Sequence, residues 1–279
     1  MNAMTRQPTP SPWPATRMLC WREIIRFLRQ RNRLIGALAQ PIIFWLLFGT
    51  GLQKSFRLAD QQGTPSFLEY YFPGTLMLIL LFTAIFATIS IIEDRKEGFL
   101  QGVLIAPVPR WSMVLGKVLG GALIATAQGV VFLLLGWLVG ASSNVTALLV
   151  TVPLLFLTAV AMTSLGFVIA WRMDSTQGFH AIMNLALMPM WLLSGAFFPI
   201  PTLSGETAIS QIGLHWVMRL NPLTYAVAGV RQHLFEVPLP ESFWAPSLTL
   251  CWTVTACFAV GMFWGAWRIS SRRIGGDLV

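Results

Sequence analysis

Few residues in this sequence are placed to do bond-making chemistry. The three histidines, His180, His215 and His233, are scattered and form no spaced cluster with carboxylates. Neither a metal site nor acid–base catalysis is expected from them, and surface hydrogen bonding is the expected role of His215 and His233. Gly116-Lys117 does not open a phosphate-binding loop. Trp111 stands where the first glycine is needed, and Val118 follows the lysine in place of Ser or Thr. No cofactor is therefore expected in this chain, which is not expected to be an enzyme. What remains is chemistry of docking. Glu93, Asp94, Arg95, Lys96 and Glu97 form a charged cluster, followed by Gly98 and a short amphipathic segment with Phe99, Leu100, Val103 and Leu104 apolar. Pro107 and Pro109 end that segment. Such a helix suits a groove on another protein or a resting place on lipid headgroups, and the residues leave both open.

A second candidate lies upstream. Arg22, Arg26, Arg29 and Arg33 recur at steps of four, three and four, so they share one helical face, with Trp21, Ile24, Ile25 and Leu28 on another. This basic amphipathic helix is expected to rest on an anionic leaflet, either fixing topology alone or also touching a cytoplasmic partner.

The elements that position these segments cross a membrane. Apolar residues make up 55% of the 279, charged residues 11%, and the mean hydropathy is +0.67. A soluble chain of this length needs more charge on its surface. A bilayer core of about 30 Å takes roughly 20 helical residues, and six runs approach that length: Leu34–Leu52, Phe72–Ile92, Met113–Gly140, the stretch from the Ala141–Thr146 turn to Trp171, Phe179–Phe198, and Ser247–Trp267. Ile209–Leu220 and Tyr225–Phe235, separated by Asn221-Pro222, are too short and polar to cross. They are expected to dip into the outer leaflet or lie along it. The first apolar run is too long for a signal peptide, and no leader is expected.

With the N-terminus inside, fifteen of the nineteen lysines and arginines fall on the cytoplasmic side, leaving Lys54, Arg57, Arg219 and Arg231 outside. Both termini are then cytoplasmic. The +8 net charge reflects this asymmetry, and nucleic acid is not an expected partner. The expected organisation is a tail and amphipathic helix over 1–33, a six-helix domain over 34–267 and a cytoplasmic tail over 268–279. Cys20, Cys251 and Cys257 show no pairing pattern. The spans hold no Asp, Glu, Lys or Arg away from their ends, which argues against an ion-coupled transporter.

The run Glu93–Gly121, with its E-D-R-x-x-G-F-L, A-P-x-x-R and G-K-x-L-G-G elements, resembles permeases of the ABC-2 transporter family, in the branch of daunorubicin-resistance-type exporters. Leu193-Ser194-Gly195-Ala196-Phe197-Phe198-Pro199 and Asn221-Pro222-Leu223-Thr224-Tyr225-Ala226-Val227 agree in order and spacing. Ala228 departs from the branch, which often carries Asp there. The resemblance implies an all-α half-transporter of six helices in a bacterial inner membrane, paired with a second copy or a related subunit. It implies a separate cytoplasmic ATPase that binds ATP and Mg, with the Glu97–Leu104 segment as the coupling helix docking onto it. It also implies that Pro199–Phe235 forms re-entrant helices closing the outer end, and that transport is outward. Ser194, Gly195 and Phe198 are the expected path-lining residues. Spans rich in Met, Phe, Trp, Ser and Thr favour a hydrophobic or amphipathic drug or lipid-like cargo, with a polysaccharide or glycolipid cargo, or ion-coupled transport, as the alternatives.

Overall fold

The computed structural model of the chain describes residues 11–52, 67–138, 145–203, 209–235 and 243–272. Arg6, Lys54, Arg57, residues 141–144 of the expected turn, Glu206, Glu236 and the tail beyond 272 lie outside the described residues, as does the side chain of Arg33.

Among the described residues the fold is helical, with one isolated bridge between Pro201 and Phe243. Helix α1 (Pro12–Arg29) starts on Pro12 and Pro14, which suit a first turn whose N–H groups have no partners. It is followed by α2 (Arg31–Gly51), α3 (Phe67–Ala87), α4 (Ile89–Lys96), α5 (Phe99–Ile105), α6 (Arg110–Leu138), α7 (Val145–Trp171) and α8 (Thr176–Trp191). A π-helical turn, Leu192–Ala196, extends α8. Then come α9 (Ile209–Leu220), α10 (Pro222–Leu234) and α11 (Leu248–Ser271).

Five helical stretches are long and apolar enough to cross a membrane: Phe67–Lys96, Arg110–Leu138, Thr146–Trp171, Thr176–Ala196 and Leu248–Ser271. The expected first span is present as α2, but its apolar part, Ile35–Gly51, is shorter than these. Arg31 and Arg33 occupy its opening turn. The second span differs most from expectation. It begins five residues earlier, at Phe67, and runs through α4 to Lys96, so Glu93–Lys96 is helix and not the opening of a loop. Only Thr88 interrupts it.

The α3 segment is the centre of the bundle. The apolar window of Phe67–Lys96 is 89% buried, against 17% for that of α11, and α2, α6, α7 and the π-turn surround it. Helix α1 lies across α6 because Gly116 and Gly120 have no side chains to hold it off. A Cβ on Gly116 would sit 2.8 Å from the Thr16 carbonyl oxygen. The similarly spaced Gly261 and Gly265 meet nothing closer than 3.8 Å. Thr16 and Ser112 hydroxyls lie 2.8 Å apart, and Ser112 Oγ donates to the Pro12 carbonyl at 2.8 Å, tying α1 to the start of α6. The pair α9 and α10 forms where the sequence places it, with α10 opening three residues early on its Asn221 cap.

Candidate functional site

At the end of the bundle that carries α1, six charged side chains close on one another. Asp94 is fully buried in α4. Arg22 grips it with two hydrogen bonds, Nη1 to Oδ2 at 3.0 Å and Nη2 to Oδ1 at 2.6 Å. Arg26 donates to Asp94 Oδ1 at 2.5 Å and to Glu93 Oε2 at 2.8 Å. From the other side Lys117 of α6 donates to Asp94 Oδ2 at 2.6 Å and to Glu23 Oε1 at 2.8 Å. Three cations and three carboxylates balance, which is what makes such burial tolerable. Burial alone would lower the Arg22 guanidinium, but its hydrogen bonds to Asp94 and the charges of Asp94, Glu23 and Glu97 raise it overall.

This arrangement changes the role of the basic helix. Arg22 and Arg26, expected to face lipid headgroups, face carboxylates of α4, while Trp21 and Leu28 on the apolar side are exposed. Leu19, Glu23 and Phe27 form its buried stripe. Glu23 is the one acidic residue in α1, a signal that the helix has a cationic partner. Lys117, counted with the cytoplasmic segments, stands seven residues inside α6 and is buried. Arg95 turns away from the cluster. It donates to the carbonyls of Trp171 at 2.6 Å and Met173 at 3.2 Å, satisfying groups left open where α7 ends.

Gly98, at φ 76°, reverses the chain between α4 and α5, a conformation that other residues adopt at a penalty. Helix α5 then folds back with Leu100 buried and Val103 and Leu104 half-buried against the core. The expected apolar ridge is therefore turned inward along most of its length, because those side chains find more apolar surface in the bundle than outside it. Phe99 and Ile105 remain exposed, at 36% and 78%, and Pro107 is exposed beyond them. The Arg22 guanidinium sits 3.8 Å over the Phe99 ring. Between α1 and Phe99 an open cleft of about 750 Å³ is lined by Met18, Trp21, Ile25, Arg29 and Glu97 among others. Glu97 has a 62% exposed side chain, 3.6 Å from Arg26.

The opposite end is held by rings and carbonyls. Phe197 meets Tyr71, Phe48 and Phe67 edge-on at 5.2, 5.5 and 5.9 Å. Trp191 Nε1 donates to the Gly74 carbonyl at 2.8 Å. Ser194 is buried, its hydroxyl donating to the Trp191 carbonyl at 2.6 Å. Gly195, also buried, has φ 73°, and its carbonyl accepts from Tyr70 Oη and from Arg231 Nη2, both at 3.0 Å. The Arg231 guanidinium lies 4.2 Å over the Tyr70 ring. Phe198 is 54% exposed. Asn221 Oδ1 caps α10 by accepting from the Leu223 N–H at 3.0 Å, Pro222 fills the first position, and Asn221 Nδ2 donates to the Met190 carbonyl at 2.5 Å. Tyr225 Oη donates to the Arg219 carbonyl at 2.9 Å. His215, expected at the surface, is buried with Nδ1 2.8 Å from the Pro201 carbonyl oxygen, because the segment after the π-turn folds over α9.

A bundle of crossing-length apolar helices, with short helices packed at each end and no spaced metal-ligand group among the described residues, defines a multi-pass membrane protein. Its family is also defined: residues 14–235 match the model of the ABC-2 type transporter, and the chain belongs to that family. It is 27% identical over 246 residues to nodulation protein J of Rhizobium meliloti, covering 86% of each chain. Inner membrane transport permease YadH of Escherichia coli is 25% identical over 277 residues, covering 94% of this chain and 97% of YadH. The putative transport permease ycf38 of Cyanophora paradoxa is 25% identical over 217 residues, 77% and 72% of the two. The chain is thus similar to proteins named as transport permeases.

Proposed function

We propose that this chain is the membrane permease subunit of an ATP-driven exporter, working as a pair of copies around a path for a hydrophobic or amphipathic molecule. A separate cytoplasmic subunit binds and hydrolyses ATP with Mg. The end bearing the charged cluster is cytoplasmic, both termini lie on that side, and α2 completes six spans in a bacterial inner membrane. The observation that carries the reading is the pairing of a rigid, charge-locked junction of α1, α4 and α6 with an open cleft and an exposed Phe99, Ile105 and Glu97 beside it. A motor that pushes there moves α4, and α4 continues into α3 at the centre of the bundle. The α9–α10 pair, held by Asn221, Pro222 and Tyr225, covers the outer end.

The test is photo-cross-linking in native membranes. The probe belongs at Ile105 or Gln101, since Leu100 is buried. Capture of an ATP-binding subunit from Ile105, absent when the probe stands at Ile209 on α9, is the expected result. Capture of lipid alone sinks the motor reading. An ion-coupled mechanism is tested by collapsing the proton gradient at constant ATP, which is expected to leave the transport rate unchanged.

A further inference from the structure

The cleft between α1 and Phe99 carries two opposite charges that do not satisfy each other. Of the arginines on its α1 wall, Arg22 and Arg26 are engaged by Asp94 and Glu93. Arg29 lies on the same wall, is exposed, and makes no side-chain hydrogen bond or ion pair among the described residues. Glu97 stands across the cleft where α4 ends, and its one ionic partner among the described residues is Arg26 at 3.6 Å, beyond hydrogen-bond reach. A cation and a carboxylate thus line one cleft of about 750 Å³ without pairing, a volume within the range of small-molecule sites.

Both charges stand at the level where lipid headgroups lie. Glu97 directly follows the crossing stretch Phe67–Lys96. Arg29 ends α1 two residues before α2 opens at Arg31, and the apolar part of α2 begins at Ile35. The rest of the cleft is largely apolar, with Met18, Trp21 and Ile25 on α1 and Phe99 on α5. Met18 and Trp21 are exposed, and an exposed indole at the end of crossing helices is in the zone that favours it. An apolar wall beside two unpaired charges matches the division within a phospholipid, between glycerol and chains on one side and a charged headgroup on the other.

We propose that the cleft is a site for a resident phospholipid with an ethanolamine headgroup, whose phosphate is held by Arg29 and whose ammonium donates to Glu97. A guanidinium presents paired N–H donors to phosphate oxygens, and a primary ammonium has three N–H groups for a carboxylate. A glycerol headgroup brings the phosphate but leaves Glu97 unmatched. A choline headgroup has no N–H to give, and the Phe99 ring that could receive it already carries the Arg22 guanidinium at 3.8 Å. The bound lipid joins α1 to the start of α5. This goes beyond the permease reading and leaves room for the motor, because Gln101 and Ile105 of α5 lie outside the lining of the cleft.

The experiment uses the purified full chain in dodecyl maltoside micelles, with Cys20, Cys251 and Cys257 replaced and single cysteines at Met18 or Ile25. Arg17 and Ile105, exposed and outside the cleft, are the reference positions. Dihexanoyl-phosphatidylethanolamine below its micelle concentration is expected to slow maleimide labelling of M18C and I25C at least fivefold and to leave R17C and I105C unchanged. The phosphatidylglycerol and phosphatidylcholine of equal chain length are expected to slow M18C less than twofold. R29Q and E97Q, both at exposed positions, are each expected to abolish the protection. Equal slowing at the reference positions overturns the site, as a coat of amphiphile over the whole surface. Protection by phosphatidylglycerol as strong as by phosphatidylethanolamine overturns the headgroup class. Protection by phosphoethanolamine alone overturns the lipid in favour of a soluble phosphate compound. Capture of an ATP-binding subunit from a photoprobe at Met18 in native membranes seats the motor in the cleft and overturns the lipid as well. Labelling needs no ATPase, so protection as stated with no ATPase captured from Ile105 would sink the motor reading alone.

Discussion

The two ends of the α3–α4 segment are held by different forces. At one end Asp94 sits among Arg22, Arg26 and Lys117, held by short, directional ion pairs. At the other, Tyr71 and Phe67 sit among Phe48, Trp191 and Phe197, where contacts are ring edges and a few bonds to carbonyls. A buried ionic cluster tolerates little rearrangement, because any partner that leaves strands a charge. Edge-to-face rings retain most of their contact energy over a range of centroid separations. The contrast assigns rigidity to the end that would receive force and adaptability to the end that would open.

The sharpest way to break this comparison is Lys117→Met, which takes from buried Glu23 and Asp94 the closer of the two cations they share and leaves only Arg22 in contact with both. A loss of about 3–5 kcal/mol is expected, read as a large drop in the thermal midpoint of the purified chain in micelles. A drop no larger than that of the ring-end substitutions would remove the distinction. Gly74→Ala comes next. Its Cβ would lie 2.5 Å from the Ala196 carbonyl oxygen, forcing α3 and the π-turn apart at about 1–3 kcal/mol. Limited proteolysis should then report cleavage near the π-turn before the α1 end is touched. Arg231→Met removes the cation over Tyr70 and a donor to Gly195, and about 1–2 kcal/mol is expected. Tyr70 still donates to that carbonyl, so a collapse as deep as that of Lys117→Met would show the far end to be ionic as well. The smallest effect belongs to Glu97→Gln, an exposed side chain at 3.6 Å from Arg26, worth within about 0.5 kcal/mol. If the cleft docks an ATPase, the complex carrying this variant is expected to keep the partner's ATP hydrolysis while transport falls, at an unchanged midpoint.

The helices themselves were readable from the sequence. Apolar runs and the stop at Pro107 follow from local rules that need no neighbours, whereas the start of α10 was read at Tyr225 and lies at Pro222 behind its Asn221 cap. The charged cluster was visible as residues and not as partners. Arg22 and Asp94 are 72 positions apart, and a regular arginine face looks the same whether it meets phosphate or carboxylate. The hint lay in Glu23, alone among cations, and in Lys117 set well inside an apolar helix. For α5, composition gave an amphipathic helix but not which side faced the bundle, so Leu100 was read as outward when it is buried.

One joint remains in the α3–α4 segment, at Thr88, and it is tightly caged. Thr88 Oγ1 donates to the Ile85 carbonyl at 2.7 Å, and any side chain on Gly166 would approach that hydroxyl to 2.8 Å. Tyr70 at one end and Asp94 at the other therefore share a single angular phase. Each residue of helix turns the chain by about 100°, so inserting one between them would swing Asp94 away from Lys117 or Tyr70 away from Arg231. The separation of these two sites along the sequence is quantised, and the distance between them could change over evolution only in steps close to whole turns.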